Sequence, residues 1–174
     1  MRLFVSIDPP KEICQHLAER VPDIPGMRKV NTEQIHLTLL FLGEQSGDSI
    51  HRIREALDEI RFEPFEVTVN ELGVFSDSGN PSVLWAGLEE SSDLIRLQKE
   101  ISDVLSKFTD SENEARSYKP HITLARLKNI SAKECREIIS NQFDSITFGV
   151  TGFKLKKSVL RKSGAEHETL EIYS

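Results

Sequence analysis

HLTLLFLG at His36–Gly43 and HITLARL at His121–Leu127 carry the reading of this chain. Each string begins His, apolar, Thr, apolar. In an extended strand alternate side chains share a face. His36 with Thr38, and His121 with Thr123, therefore project as pairs, while Leu37, Leu39, Ile122 and Leu124 turn to the buried side. One such string arises easily by chance. Two, in corresponding halves, predict a cleft lined by two imidazoles and two hydroxyls, a set of groups suited to proton transfer around a phosphate.

Outward from these strings, the same order of elements is read twice. The first half opens with a strand at Leu3–Ile7. Asp8 is expected to cap a helix with Pro9 and Pro10 in its first turn and Ile13, Leu17 and Val21 as its apolar stripe. A turn at Pro22–Gly26 leads to the HLTLLFL strand. A second helix follows the signal at 47–49, with Ile50, Ile53, Leu57 and Ile60 on one face, and alternation at Phe65–Val69 marks a closing strand.

In the second half, Val83–Leu88 is a strand and Ser91–Asp93 starts a helix with Leu94, Leu97, Ile101, Val104 and Phe108 as its stripe. A polar segment, Asp110–Arg116, leads into KPHITLARL, where Pro120 disfavours helix. Ser131–Glu134 reads as a capping box, and Ile146–Lys156 and Thr169–Tyr173 as the last strands. The fold class is α+β: two pseudo-symmetric lobes, each a mainly antiparallel sheet with flanking helices, around a central groove. The whole of 1–174 is one bilobal domain with pseudo-repeats of approximately 1–80 and 81–174, and DSGNP at 77–81 marks the join or a loop at its edge.

Bulk composition narrows the classes. With 38% hydrophobic and 29% charged residues, the 174-residue chain reads as an ordinary soluble domain. No apolar run is long enough to span a membrane, and the N-terminus reads as a strand and not a signal peptide. Cys14 and Cys135 lack metal or disulfide spacing and fit buried thiols in a reducing cytoplasm. A net charge of −6 argues against wrapping long nucleic acid, yet leaves room for recognising one phosphate or a strand end. The basic run Lys154, Lys156, Lys157, Arg161 and Lys162 is either a solvated edge or an RNA contact.

The paired motifs, with RLFVSID at 2–8, NELGVF at 70–75, VLWAGL at 83–88 and SVLRKSG at 158–164, resemble the 2H phosphoesterases. Within that superfamily the chain is most similar to the RNA 2′,3′-cyclic phosphodiesterases, also described as 2′-5′ RNA ligases. The resemblance covers nearly the whole chain. It implies hydrolysis of RNA or oligonucleotide 2′,3′-cyclic phosphate ends to a 2′-phosphate. It further implies His36 as proton donor to the 3′-oxygen and His121 as proton acceptor from water, although pseudo-symmetry leaves the two roles interchangeable on sequence alone. Thr38 and Thr123 are the expected phosphate donors.

Arg126 is less direct. Strict alternation turns it away from His121, whereas the family's recurring arginine implies a bend near Ala125 and a phosphate-facing guanidinium; a surface ion pair is the other reading. Relatives often carry Tyr where this chain has His167.

His16 and His51 fall on polar helix faces as bystanders. Phe4 is core or groove wall, and Trp85 and Tyr118 either stack on a base or pack inside. No carboxylate at ligand spacing accompanies the histidines, so catalysis is expected without metal or other cofactor, by a monomer in the cytoplasm. Two other readings stand beside hydrolysis: ATP-independent 2′-5′ ligation by the reverse reaction, and a non-catalytic nucleotide-binding module.

Overall fold

The computed structural model describes residues 1–109, 117–141 and 143–174, so the polar segment read at Asp110–Arg116 lies outside the described residues. The strands are β1 (Arg2–Ile7), β2 (Met27–Lys29), β3 (Leu37–Glu44), β4 (Phe65–Asp77), β5 (Asn80–Leu88), β6 (His121–Leu127), β7 (Ile146–Val150), β8 (Phe153–Arg161) and β9 (Gly164–Tyr173). Among the described residues four α-helices accompany them: α1 (Lys11–Glu19), α2 (Gly47–Asp58), α3 (Ser92–Leu105) and α4 (Ala132–Ser140). The strands form one curled antiparallel half-barrel in the order β7-β4-β5-β6-β3-β1-β8-β9, with β2 also pairing with β6.

In place of the two expected sheets there is one with two halves, whose strands do not follow the chain order of 1–80 and 81–174: β4 lies with β5, β6 and β7, and β8 and β9 lie with β1 and β3. The halves meet where β3 and β6 share a single ladder position, Leu37 opposite Ile122. One half holds β3, β1, β8 and β9, the other β6, β5, β4 and β7. The chain therefore crosses between halves more than once. Residues 77–81 form the tight β4–β5 turn inside one half, with Asp77 opposite Asn80 and both Ser78 and Gly79 at positive φ.

Most of the apolar positions anticipated from periodicity build the core; Val104, expected in the α3 stripe, is exposed, and Leu105 takes the buried place. Leu17, Leu37, Ile53, Leu57, Leu94, Ile101 and Ile122 are fully buried, each contributing about 1.5–3 kcal/mol relative to exposure. Helix α3 packs on β3, and α4 on β4 and β5. Two of the signalled caps hold: Ser91 accepts from the Leu94 amide, and Ser131 and Glu134 form the reciprocal box.

Two boundaries differ from expectation. Asp8 does not cap α1, whose N-cap is Pro10 without a side-chain bond. The Asp8 carboxylate instead bonds Lys154 and Lys156 of β8, because two ammonium groups, that of Lys156 buried, are stronger partners than backbone amides at a helix end. The expected strand Ile146–Lys156 is broken into β7 and β8 at Thr151–Gly152, where the chain leaves one half-sheet for the other. Gly152 permits the crossing: a Cβ there would lie 2.5 Å from the Tyr173 carbonyl oxygen.

Candidate active site

The shared ladder position organises the site. With Leu37 opposite Ile122 in antiparallel register, His36 stands at the level of Thr123 and Thr38 at the level of His121. Leu37 and Ile122 are fully buried, so the four polar side chains stand on the opposite, groove face. The two motifs come from distant segments, and one backbone pairing brings them together.

Both imidazoles are held alike. His36 Nδ1 lies 2.7 Å from the Gln34 carbonyl oxygen, and His121 Nδ1 lies 2.8 Å from that of Lys119. A carbonyl can only accept, so each Nδ1 carries its proton and each Nε2 is the atom left for chemistry. Aromatic rings wall both. Phe4 lies 5.1 Å from the His36 ring, and Phe75 stands edge-on to His121 at 5.0 Å. Phe4 is thus buried and a groove wall at once.

The motif strands share a second feature, which alternation alone does not reveal. On β1, Ser6 faces Thr38 and Phe4 faces Phe41, leaving Leu39 as an extra residue in β3. On β5, Trp85 faces Thr123 and Val83 faces Arg126, so a residue is likewise extra in β6, between Thr123 and Ala125. These are β-bulges, and each resets the side-chain parity of its strand. Val83, Trp85 and Gly87 alternate on one face of β5, opposite Arg126, Thr123 and His121 respectively. Arg126 consequently joins the histidine's face, and the bend lies where the family pattern implied one. The equivalent place in the other motif holds Phe41, which is 62% exposed.

The electrostatics of the two histidines differ. Burial lowers the His36 pKa to about 4; the Gln34 carbonyl and Asp8 oppose that shift, while Lys156 and His167 add to it. His167, also lowered by burial and then by Lys156, stands 4.9 Å from His36, ring edge to face. Burial would raise the Asp8 carboxyl, but Lys154 and Lys156 outweigh it and hold it below its usual value.

Other candidates fall out of the groove surface. Trp85 is 6% exposed and packed behind His121, and the half-buried Tyr118 donates its hydroxyl to the Thr38 carbonyl at 2.9 Å. His16 and His51 are exposed, the latter beside Glu55. In the basic run, Lys154 and Lys156 serve Asp8, Lys157 pairs with Glu168 and Arg161 with Glu166. Among the described residues no three His, Cys, Asp or Glu side chains cluster as a metal site, and no helix is long and apolar enough to cross a membrane. Sequence reasoning missed β2 and its Arg28, since three residues beside a turn carry no periodicity.

Residues 9–159 match the model of the 2′-5′ RNA ligase superfamily. The chain belongs to that superfamily. Its members with similar sequences include an RNA 2′,3′-cyclic phosphodiesterase of Archaeoglobus fulgidus, 32% identical with 99% of each chain covered. Another is the RNA 2′,3′-cyclic phosphodiesterase of Thermotoga maritima, 33% identical over 98% of this chain and 93% of that one. Solved structures of the superfamily fold include TT0787 of Thermus thermophilus, with TM-score 0.81 and 28% identity over 99% of this chain and 97% of that one. E. coli LigT complexed with 3′-AMP gives TM-score 0.81 at 26% identity, covering 99% and 96%.

Proposed function

We propose that this chain hydrolyses 2′,3′-cyclic phosphate ends of RNA or oligonucleotides, leaving a 2′-phosphate. The observation that carries the reading is the Leu37–Ile122 pair, around which both imidazoles and both threonines gather on one face. A 2′,3′-cyclic phosphate lodged there meets a proton carrier from each half-sheet. Water attacks phosphorus as it gives a proton to His121, and the P–O3′ bond breaks as His36 protonates the departing 3′-oxygen. The Thr38 and Thr123 hydroxyls and the Arg126 guanidinium hold the non-bridging oxygens as charge develops on them. The anionic substrate itself favours imidazolium at His36, countering the burial that keeps the ring neutral in the free chain.

That same burial supports a second assignment, with the roles exchanged. A histidine kept neutral is ready to act as base, which would make His121 the acid and the 3′-phosphate the product. Incubating the protein with cytidine 2′,3′-cyclic phosphate and separating the monophosphate isomers distinguishes the two. The 2′-isomer supports the first assignment, and the 3′-isomer reverses it. No turnover of any cyclic end would favour a nucleotide-binding module. Joining of a 5′-hydroxyl oligonucleotide faster than hydrolysis would favour ligation, which uses the same groups with the hydroxyl in place of water.

A further inference from the structure

We infer that Arg28 and Arg126 form a second phosphate site in the groove, holding the internucleotide phosphodiester immediately 5′ to the cyclic end; this rests on the reading proposed above and adds the substrate's length to it. In the β2–β6 ladder Arg28 is directly opposite Arg126, so the two side chains share a face. That face is the one His121 and Thr123 present, as the register against β5 requires. Like charges directly across an antiparallel pair are unfavourable unless an anion lies between them.

No described carboxylate does so. Among the described residues neither arginine has a carboxylate within ion-pair distance, although neighbouring cations are neutralised: Lys29 bonds Asp23 at 2.7 Å and Arg161 bonds Glu166 at 3.0 Å. Arg28 also reaches across the groove. Its Nη2 lies 2.7 Å from where a Cβ of Gly164 would stand, so the glycine at the β8–β9 turn, with φ of +125°, leaves space for the guanidinium. Strand β2 takes its place beside β6 beyond the single β3–β6 pair, so Arg28 sits where the two halves part.

Position along the strand sets which phosphate is held. The histidine–threonine cluster centres on Ile122, opposite Ala86, and the arginines stand level with Val83. Three strand positions are about 10 Å. That separation is too long for one phosphate to fill both places, while an arginine stem can bridge from it to the next phosphate of a bound strand. Arg126, on the strand that also carries His121 and Thr123, can touch both groups; Arg28, on β2, is left to the second.

The test compares kcat/KM for cytidine 2′,3′-cyclic phosphate, which has no internucleotide phosphate, with that for the cytidine dinucleotide bearing the same cyclic end. The dinucleotide should be preferred about tenfold or more, as a charge-assisted contact provides. Arg28→Gln should bring the ratio close to one, Arg28→Lys should retain part of it, and a neutral methylphosphonate linkage should abolish it in the unaltered protein. Equal rates on both substrates, or a ratio that Arg28→Gln leaves unchanged, would overturn the inference; so would equal losses on both, which would assign Arg28 to the cyclic phosphate. If the unaltered protein turns over neither substrate, the proposed hydrolysis fails, and titration with the dinucleotide 2′-phosphate still reads the arginine site. Binding about tenfold weaker in Arg28→Gln supports that site, and equal binding removes it.

Discussion

His167 stands edge-on to His36, with ring centroids 4.9 Å apart and planes 83° apart, and the same His167 ring lies 4.9 Å from Phe4. Two imidazoles this close disfavour holding a proton each, and Lys156 opposes protonation of both. The free protein therefore keeps both imidazoles neutral near pH 7, and in the proposed donor role His36 takes its proton from solvent once the anionic phosphate is bound.

The pH dependence follows. His36 titrates in the folded chain at about 4, so the acid limb of kcat/KM, which reports free enzyme, is expected near pH 4 in a bell-shaped profile. The limb has the same position whether His36 is acid or base, because kcat/KM reads only the pair's macroscopic values. The acid limb of kcat should lie higher, since bound phosphate favours imidazolium. Replacing His167 by Phe, or Lys156 by Met, removes a charge that opposes protonation and should move the kcat/KM limb upward. A limb near 6.5 that neither variant moves would contradict this electrostatic account.

His36→Ala and His121→Ala should each lower turnover about 10²–10⁴-fold, the usual contribution of a positioned acid or base. The double variant should fall little further, because the two groups act in one step. Circular dichroism should show the fold retained, since both side chains are on the groove face. Near-normal turnover in either single variant would remove the proposed chemistry.

Asp8→Asn tests the ion cluster beneath His36. Lys156 is only 4% exposed, and the variant leaves its ammonium without a carboxylate. Breaking one partner of such a buried pair costs about 3–5 kcal/mol, readable by urea unfolding. The sign with pH also follows: Asp8 is depressed in the folded state, so its contribution is present above the unfolded carboxyl value and is lost as pH falls through the folded one. Asp8→Asn should therefore flatten the acid side of the stability curve. Unchanged stability with an unchanged acid slope would show that Lys156 is satisfied without Asp8.

Gly73→Ala probes the wall behind His121. The Trp85 ring lies against the Gly73 Cα, so a methyl group there clashes with the indole. Overpacking of this kind costs about 1–3 kcal/mol. Since Trp85 and His121 rings are 6.3 Å apart, the shift should also lower kcat for the cyclic nucleotide. Parallel measurement of stability and kcat checks both, and loss of stability alone would mean that the indole moves away from His121.

The local chemistry was legible in the chain itself. Alternation in HLTL and HITL paired each histidine with its threonine and turned Leu37, Leu39, Ile122 and Leu124 inward, where all four are buried. Helix stripes and the Ser131–Glu134 box were equally legible, because they depend on neighbours within a few residues.

What alternation could not supply was parity beyond a bulge. The extra residues after Thr38 and Thr123 arise from pairing with β1 and β5, and they decide that Arg126 shares a face with His121. Charge pairing was likewise non-local: Asp8 reads as a helix cap until β8 brings Lys154 and Lys156 beside it. The approach of His167 to His36 depends on β9 folding back along β8. Period and propensity belong to the chain, being properties of adjacent residues. Register, bulges, and the meeting of Arg28 with Arg126 belong to the tertiary structure, because each depends on which distant strands hydrogen-bond, and no short-range pattern encodes that choice.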